Sequence, residues 1–333
     1  MLITWREEGK WSFYRSVKSR VKQLDLIQPF YIKGEQNSAW GRLSTCLAEF
    51  YIPIIAFTKR KKYYVIVSWS LRMGIWYGIL NRFFGSRSAI KHIVYDFHIN
   101  LTRSDWIFRL KILLLRLALP GIDFVFTTST EETTIYSTMF QILPQRICFF
   151  PIPPPRSLLT GYNFSPKNYI FSYGNSDRDY DILVQAVKNL IHEVIILSQT
   201  YKPSQPLPGN VRIIREKTVG LDLIELILAA RMVVLPLKDY YISAGQTAMI
   251  EVMALGQILV VTSNMATVEY ATHGETALFY KAGDIEDLQK NIRFVLDHPE
   301  TAREMGNRAR ARAEQIPDQQ VNVFCTALES LLS

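Results

Sequence analysis

A chain of 333 residues is long enough for two domains that each bury a core, and 48% hydrophobic against 20% charged residues excludes intrinsic disorder. Cys46, Cys148 and Cys325 lie far apart without CxxC spacing, which excludes a disulfide framework and a cysteine zinc site and fits a reducing, cytoplasmic setting. The net charge of +8 is uneven: residues 1–160 carry 22 Lys and Arg against 10 Asp and Glu, and residues 161–333 carry 16 against 20, so the first half holds the surface that attracts anions.

At the N-terminus Arg6, Glu7, Glu8 and Lys10 leave no apolar h-region, so no signal peptide is expected. Over 13–24 a helix is predicted with Phe13, Val17, Val21 and Leu24 on one face and Arg15, Lys18 and Lys22 opposite. With the basic run 59–62 and with Trp69, Trp76, Trp106 and Phe108, it reads either as a core-facing helix or as an anchor on an anionic membrane surface. A buried strand is predicted over 63–68, followed by a helix with Trp69, Met73, Trp76 and Leu80 on one face. A strand over 91–95 runs into Asp96-Phe97-His98, and an apolar helix over 106–119 stops at Pro120-Gly121. Next come a strand over 124–127, a helix opened by Ser129 or Thr130 with Glu131 and Glu132 in its first turn, and a strand over 146–150.

Pro151, Pro153, Pro154 and Pro155 mark a boundary, giving domains 1–155 and 156–333, with the last helix free to return to the first. Beyond it, strands are expected over 169–173, 193–197, 211–214, 232–235 and 258–262, helices over 181–190, 221–230 and 246–255, and terminal helices after those. The uncharged stretch 252–268 contains Gly, Gln, Thr, Ser and Asn and is not a membrane span. Repeated β/α alternation predicts an α/β protein of two Rossmann-like domains, parallel sheets covered by helices, facing across a cleft where ligands sit at strand C-termini.

Ser243-Ala244-Gly245-Gln246-Thr247 follows the predicted 232–237 strand and opens a helix. Unpaired backbone N–H groups and the positive helix end suit a diphosphate there, and Glu251 can accept two hydrogen bonds from a ribose diol. The same residues also read as a plain strand–turn–helix with a solvated Glu. The continuation carries Gly256 to Thr262, then Val268-Glu269-Tyr270, His273-Gly274-Glu275-Thr276 and Gly283-Asp284. In this order the motifs resemble the C-terminal domain of family 4 (group 1) glycosyltransferases of GT-B fold, over about 170–330.

That resemblance implies transfer of a sugar, with retention of configuration, from a nucleotide-diphosphate sugar, UDP-sugar favoured, to an acceptor lipid, glycan or small molecule. It implies a donor site of Gly174, Asn175, Arg178, Ser243, Ala244, Gly245, Gln246, Thr247 and Glu251, with His98 and Arg178 in catalytic positions. No cofactor beyond the nucleotide-sugar substrate and no metal are implied. His98 reads either as the family's histidine near the donor sugar or as a structural histidine capping a strand end. Two departures stand out: Ser243 replaces the first Glu of the family's E-x7-E pair, and Asn175 replaces one phosphate-clamping cation, leaving Arg178. A closer subgroup has G-R-S-x-R-D-Y and S-A-G-Q-T, in which the 243–247 backbone takes over the phosphate. A catalytically inactive nucleotide-sugar or polyanion-binding module and a GT-B epimerase or phosphorylase are the competing readings. Without an RNP-like or helix-turn-helix context, no nucleic-acid partner is expected.

Overall fold

The computed structural model describes residues 2–3, 17–18, 24–27, 39–85, 90–162, 164, 167–238 and 243–333. They divide into two compact units, Met1–Pro151 with Gln320–Ser333, and Ile152–Gln319.

In the first unit six strands, β1 (Leu2–Ile3), β2 (Leu26–Ile27), β3 (Val65–Ser68), β4 (Lys91–Val94), β5 (Phe124–Thr127) and β6 (Ile147–Phe149), form one sheet in the order β2-β1-β3-β4-β5-β6. Every described pairing is parallel. The central strands β3, β4 and β5 are buried along most of their length because both faces are covered. Helices α1 (Ala39–Lys59), α2 (Leu71–Phe84), α3 (Trp106–Ala118) and α4 (Thr130–Phe140) connect them. Three helix starts are fixed by short polar side chains: Ser70 Oγ accepts from Met73 N–H at 3.4 Å, Asp105 from Phe108 N–H at 3.0 Å and Ser129 from Glu132 N–H at 3.0 Å.

The second unit holds β7 (Tyr169–Tyr173), β8 (Glu193–Leu197), β9 (Val211–Ile214), β10 (Met232–Leu235), β11 (Leu259–Thr262) and β12 (Leu278–Tyr280), again parallel, in the order β12-β11-β10-β7-β8-β9. Counted from its first strand this is the doubly wound 3-2-1-4-5-6 order, and the order reverses between β7 and β10. Helices α5 (Tyr180–Val187), α6 (Leu221–Ala229), α7 (Gln246–Ala254) and α8 (Ile285–Asp297) cover it. A final helix, α9 (Pro299–Leu332), starts in this unit and ends in the first, with Pro317 just ahead of the Gln319–Gln320 division. Its last turns place Val321, Phe324 and Ala327 in the first unit's core beside Val67, Ile93 and Phe126.

Several expectations need correction. Trp69 precedes the helix it was assigned to; Ser70 is the N-cap, and Trp69 instead stacks on Tyr95 with ring centroids 4.0 Å apart. Helix α1 was missed, its apolar positions being interrupted by Pro53. Strand and helix ends moved by one to three residues, as at 63–68, which begins at Val65. Of the 13–24 helix, Phe13, Arg15, Val21 and Lys22 lie outside the described residues, while Val17 is buried in the core. Among the described residues no helix is long and apolar enough to cross a membrane.

Candidate functional site

The reversal point between β7 and β10 is where a doubly wound sheet leaves a crevice at its carboxyl edge. Two turns of this chain meet there. The first leaves β7 at Gly174, whose φ of +121° is barred to L side chains. A Cβ at Gly174 would lie 2.7 Å from Arg178 Nη2 and 2.9 Å from Cζ, so only glycine lets the guanidinium lie against the backbone. Arg178 Nε donates to the Tyr173 carbonyl at 3.0 Å and Nη1 to the Ser176 carbonyl at 2.8 Å. No ion pair holds this guanidinium among the described residues, and burial lowers its pKa from the ordinary arginine value. Such a cation is fixed and desolvated, with the nearby charge of Asp177 too weak to offset its burial, which favours an incoming anion.

The second turn follows β10. Leu237 bridges Arg178, Asp179 N–H donates to the Pro236 carbonyl at 2.9 Å, and Leu237 N–H donates to Thr262 Oγ1 at 2.8 Å, tying both turns to β11. Gly245 then adopts φ +87° at the N-cap of α7; a Cβ there would come within 2.7 Å of Leu237 Cδ1. No side chain caps α7, so the N–H groups of its first turn, at Gln246 and Thr247, remain donors at the positive end of the helix. Gln246 is buried and Thr247 exposed. Ala244 is anchored through its carbonyl by Asn264 Nδ2 at 3.3 Å. Ser243 Oγ is buried and has no hydrogen-bond partner among the described residues.

Glu251 lies in the second turn of α7 with its Oε2 3.0 Å from the Tyr173 hydroxyl, which stands at the same distance from the Ala248 carbonyl. Burial raises the Glu251 pKa and outweighs the opposing hydrogen bond from Tyr173. Tyr173 therefore links the end of β7 to α7 and orients the carboxylate while leaving Oε1 to other donors.

Asn175 is engaged by the end of β8. Its Oδ1 accepts from Ser198 Oγ at 3.0 Å and Gln199 N–H at 2.9 Å, and its Nδ2 donates to Gln199 Oε1 at 2.9 Å, so it ties the turn to the end of β8. Two cations that the sequence reading did not single out, Lys202 and Lys238, line the same depression of about 530 Å³ as Asn175 and Arg178. Lys238 follows β10 after Pro236 and Leu237, and a cation just past a strand that feeds a glycine turn was the signal available. Asp177, Asp179 and Asp181 alternate along the first turn in a spacing that some cation sites use. Here Asp179 caps Ile182 N–H at 3.3 Å and Asp181 accepts from Tyr201 Oη at 2.7 Å. Among the described residues no group of three or more His, Cys, Asp or Glu side chains could hold a metal.

His98 belongs to the first unit, just past β4. Its Nδ1 is 2.9 Å from Glu132 Oε1, with side-chain exposures of 33% and 3%. Glu132 also accepts from Tyr136 Oη at 2.9 Å, Thr128 N–H at 3.0 Å and Thr128 Oγ1 at 2.6 Å. Burial of the imidazole works against its protonation, but the hydrogen bond and charge of Glu132 and the charge of Asp96 prevail and raise its pKa. Glu132 is buried too, yet His98, Thr128 and Tyr136 hold its pKa below the ordinary value. The structure thus gives His98 a fixed ring orientation with Nε2 left for another partner.

Residues 204–312, which include Ser243 to Glu251 but not Gly174 to Arg178, match the family described as Glycosyl transferases group 1. Sucrose-phosphate synthase from Thermosynechococcus elongatus shares the fold with a TM-score of 0.65 at 16% identity, covering 92% of this chain and 84% of that one. Anabaena HepE in complex with UDP gives a TM-score of 0.67 at 12% identity, covering 95% and 89%. A glycosyltransferase from Rickettsia africae gives 0.65 at 12% identity, covering 97% and 88%. No curated protein matches the chain. At these identities the structural likeness speaks for the fold, which is the GT-B fold expected from the sequence.

Proposed function

We propose that this chain, a glycosyltransferase of GT-B fold with a Glycosyl transferases group 1 domain over 204–312, takes its sugar from a nucleoside-diphosphate sugar bound at the β7–β10 reversal, with UDP the preferred nucleotide. The observation that carries the reading is a fixed, desolvated cation: Arg178 is held by two backbone carbonyls beside the uncapped N-terminus of α7. Together they form a cradle for two phosphates. HepE, a protein of the same fold, binds UDP and UDP-glucose, which supports the choice of base.

In this reading Arg178 and the N–H groups at Gly245, Gln246 and Thr247 stabilise the charge that develops on the departing diphosphate, with Lys202 and Lys238 at the rim. Glu251, oriented by Tyr173, accepts the ribose hydroxyls through Oε1. The Ser243 hydroxyl supplies a hydrogen bond to the donor where the family has a carboxylate. Transfer proceeds with retention and without a metal, the cations of the two turns neutralising the leaving group. His98 enters this reading through the resemblance, in which a histidine at that position lies near the donor sugar. The three cysteines are all free, which suits a reducing compartment and a cytoplasmic enzyme.

A thermal-shift series with UDP, GDP, ADP and TDP, with and without magnesium, on wild type and Glu251→Ala tests this. UDP at 100 times its Kd is expected to stabilise the wild type by about 2.7 kcal/mol, and Glu251→Ala to lose most of that. Indifference to all four nucleotides would sink the proposal.

A further inference from the structure

The first unit exposes an amphipathic surface that the donor site does not use. Helix α3 contains no acidic residue and three basic ones, Arg109, Lys111 and Arg116, and buries only Leu115 and Ala118. It turns Trp106, Ile107, Leu110 and Leu113 outward at 72%, 53%, 45% and 64% exposure. Helix α1 adds exposed Leu47, Phe50 and Ile54, and Phe50 meets Trp76 of α2 edge-on with ring centroids 5.0 Å apart. A surface of this kind is costly in water unless something covers it.

Within that surface opens a cavity of about 370 Å³, with Trp76, Phe108 and Leu114 as its apolar lining and Arg72, Arg103 and Lys111 as its cations. It belongs to the carboxyl edge of the sheet, since Arg72 is in the first turn of the helix after β3 and Arg103 in the link after β4. Arg72 pairs with Glu49 at 2.7 Å and Arg103 with Asp105 at 2.8 Å. Lys111 has no ion pair among the described residues. Burial, then repulsion from Arg72 and Arg103, outweighs attraction to Asp96 and Glu49 and lowers its pKa. The pattern is an anion site walled by hydrocarbon and ringed by an apolar, basic rim. Charge complementarity at the centre asks for a phosphate, and the rim asks for a bilayer interface.

We propose that this cavity receives the headgroup of an anionic phospholipid, with α3 lying in the interfacial plane and Lys111 facing the phosphate. The lipid's role as acceptor rests on the proposed function; its binding does not. In that role a headgroup hydroxyl oxygen bonds to the anomeric carbon as the bond from that carbon to the diphosphate oxygen breaks, and the hydroxyl proton leaves with the diphosphate.

The test is sedimentation of the full chain with vesicles of phosphatidylcholine alone or mixed with phosphatidylglycerol. The variants are Lys111→Gln, the exposed pair Trp106→Ser with Leu113→Ser, and a control pair, Lys188→Gln with Lys290→Gln, exposed on the second unit. Wild type is expected to bind the phosphatidylglycerol vesicles and not the neutral ones. Lys111→Gln should weaken this about fivefold, the factor corresponding to ~1 kcal/mol per basic side chain at an anionic surface. The Trp106/Leu113 pair should weaken it at least as much, and the control pair less than twofold. The proposal is overturned if wild type stays in the supernatant, if Lys111→Gln binds like wild type, or if the control pair loses more. It is equally overturned if inorganic phosphate raises Tm in a Lys111-dependent way without vesicle binding, which would assign the cavity to a soluble phosphate compound. UDP thermal shift on the same samples separates the two ideas: vesicle binding without a UDP response leaves the lipid site standing and removes only its role as acceptor site.

Discussion

Arg178 shows how much a single side chain depends on the backbone beneath it. Its guanidinium lies on Gly174 and is fixed by the Tyr173 and Ser176 carbonyls. Removing the cation in Arg178→Ala should weaken UDP binding by about 1.5–3 kcal/mol, the range for a hydrogen bond to a charged group. Arg178→Lys should recover little, because an ammonium cannot span both carbonyls and a phosphate. Gly174→Ala should cost a similar amount of affinity by displacing the guanidinium, and combining it with Arg178→Ala should add almost nothing. Calorimetric titration of UDP into the four variants checks this; additive losses would mean that the two residues act separately. Gly245→Ala acts on folding instead: with φ +87° and Leu237 Cδ1 2.7 Å from the new methyl, it should lower Tm by the equivalent of about 1–3 kcal/mol. The glycines, Arg178 and Glu251 were legible from motif order. The roles of Asn175 and Tyr173 were not, because each is set by a partner more than 20 residues away, Gln199 for one and Glu251 for the other.

At the level of elements, α4 is capped by Ser129 while the Glu132 side chain reaches back over the same turn to Thr128 and across to His98. This helix start is thereby coupled to pH. The raised His98 pKa contributes stability that is complete below the ordinary value of 6.5 and lost as pH rises through the folded one. The lowered Glu132 pKa contributes above 4.5 and is lost as pH falls through its folded value. The Tm gap between wild type and His98→Gln should therefore be widest between about pH 4.5 and 6.5 and narrow toward pH 8. A gap that widened toward pH 8 would contradict the ion pair. Element types were readable wherever a β-branched run met a capped helix, as at 124–140. They were unreadable at α1, where Pro53 sits inside a tertiary-stabilised helix, and at Trp69, whose apparent place on a helical face was taken instead by stacking on Tyr95.

At the level of the whole molecule, the first unit is assembled from two stretches of chain. Val321, Phe324 and Ala327 of α9 fill its core, with Phe324 only 2% exposed and 5.9 Å, ring centroid to ring centroid, from Phe126. Phe324→Ala should cost about 3–5 kcal/mol of that unit's stability and leave the UDP-induced shift of the second unit unchanged. Scanning calorimetry with and without UDP would show one transition lowered and the ligand response kept. The periodicity of 320–333 announces a helix but not the sheet it packs on, since that choice is made by cavities in strands read some 200 residues earlier. This arrangement also dictates a timetable. Residues 1–151 leave the ribosome first, yet their core waits for Val321 and Phe324, while 152–319 can close as soon as it is complete. The half synthesised first finishes folding last, and until then its unfilled apolar groove is the part of the nascent chain that chaperones would have to shield.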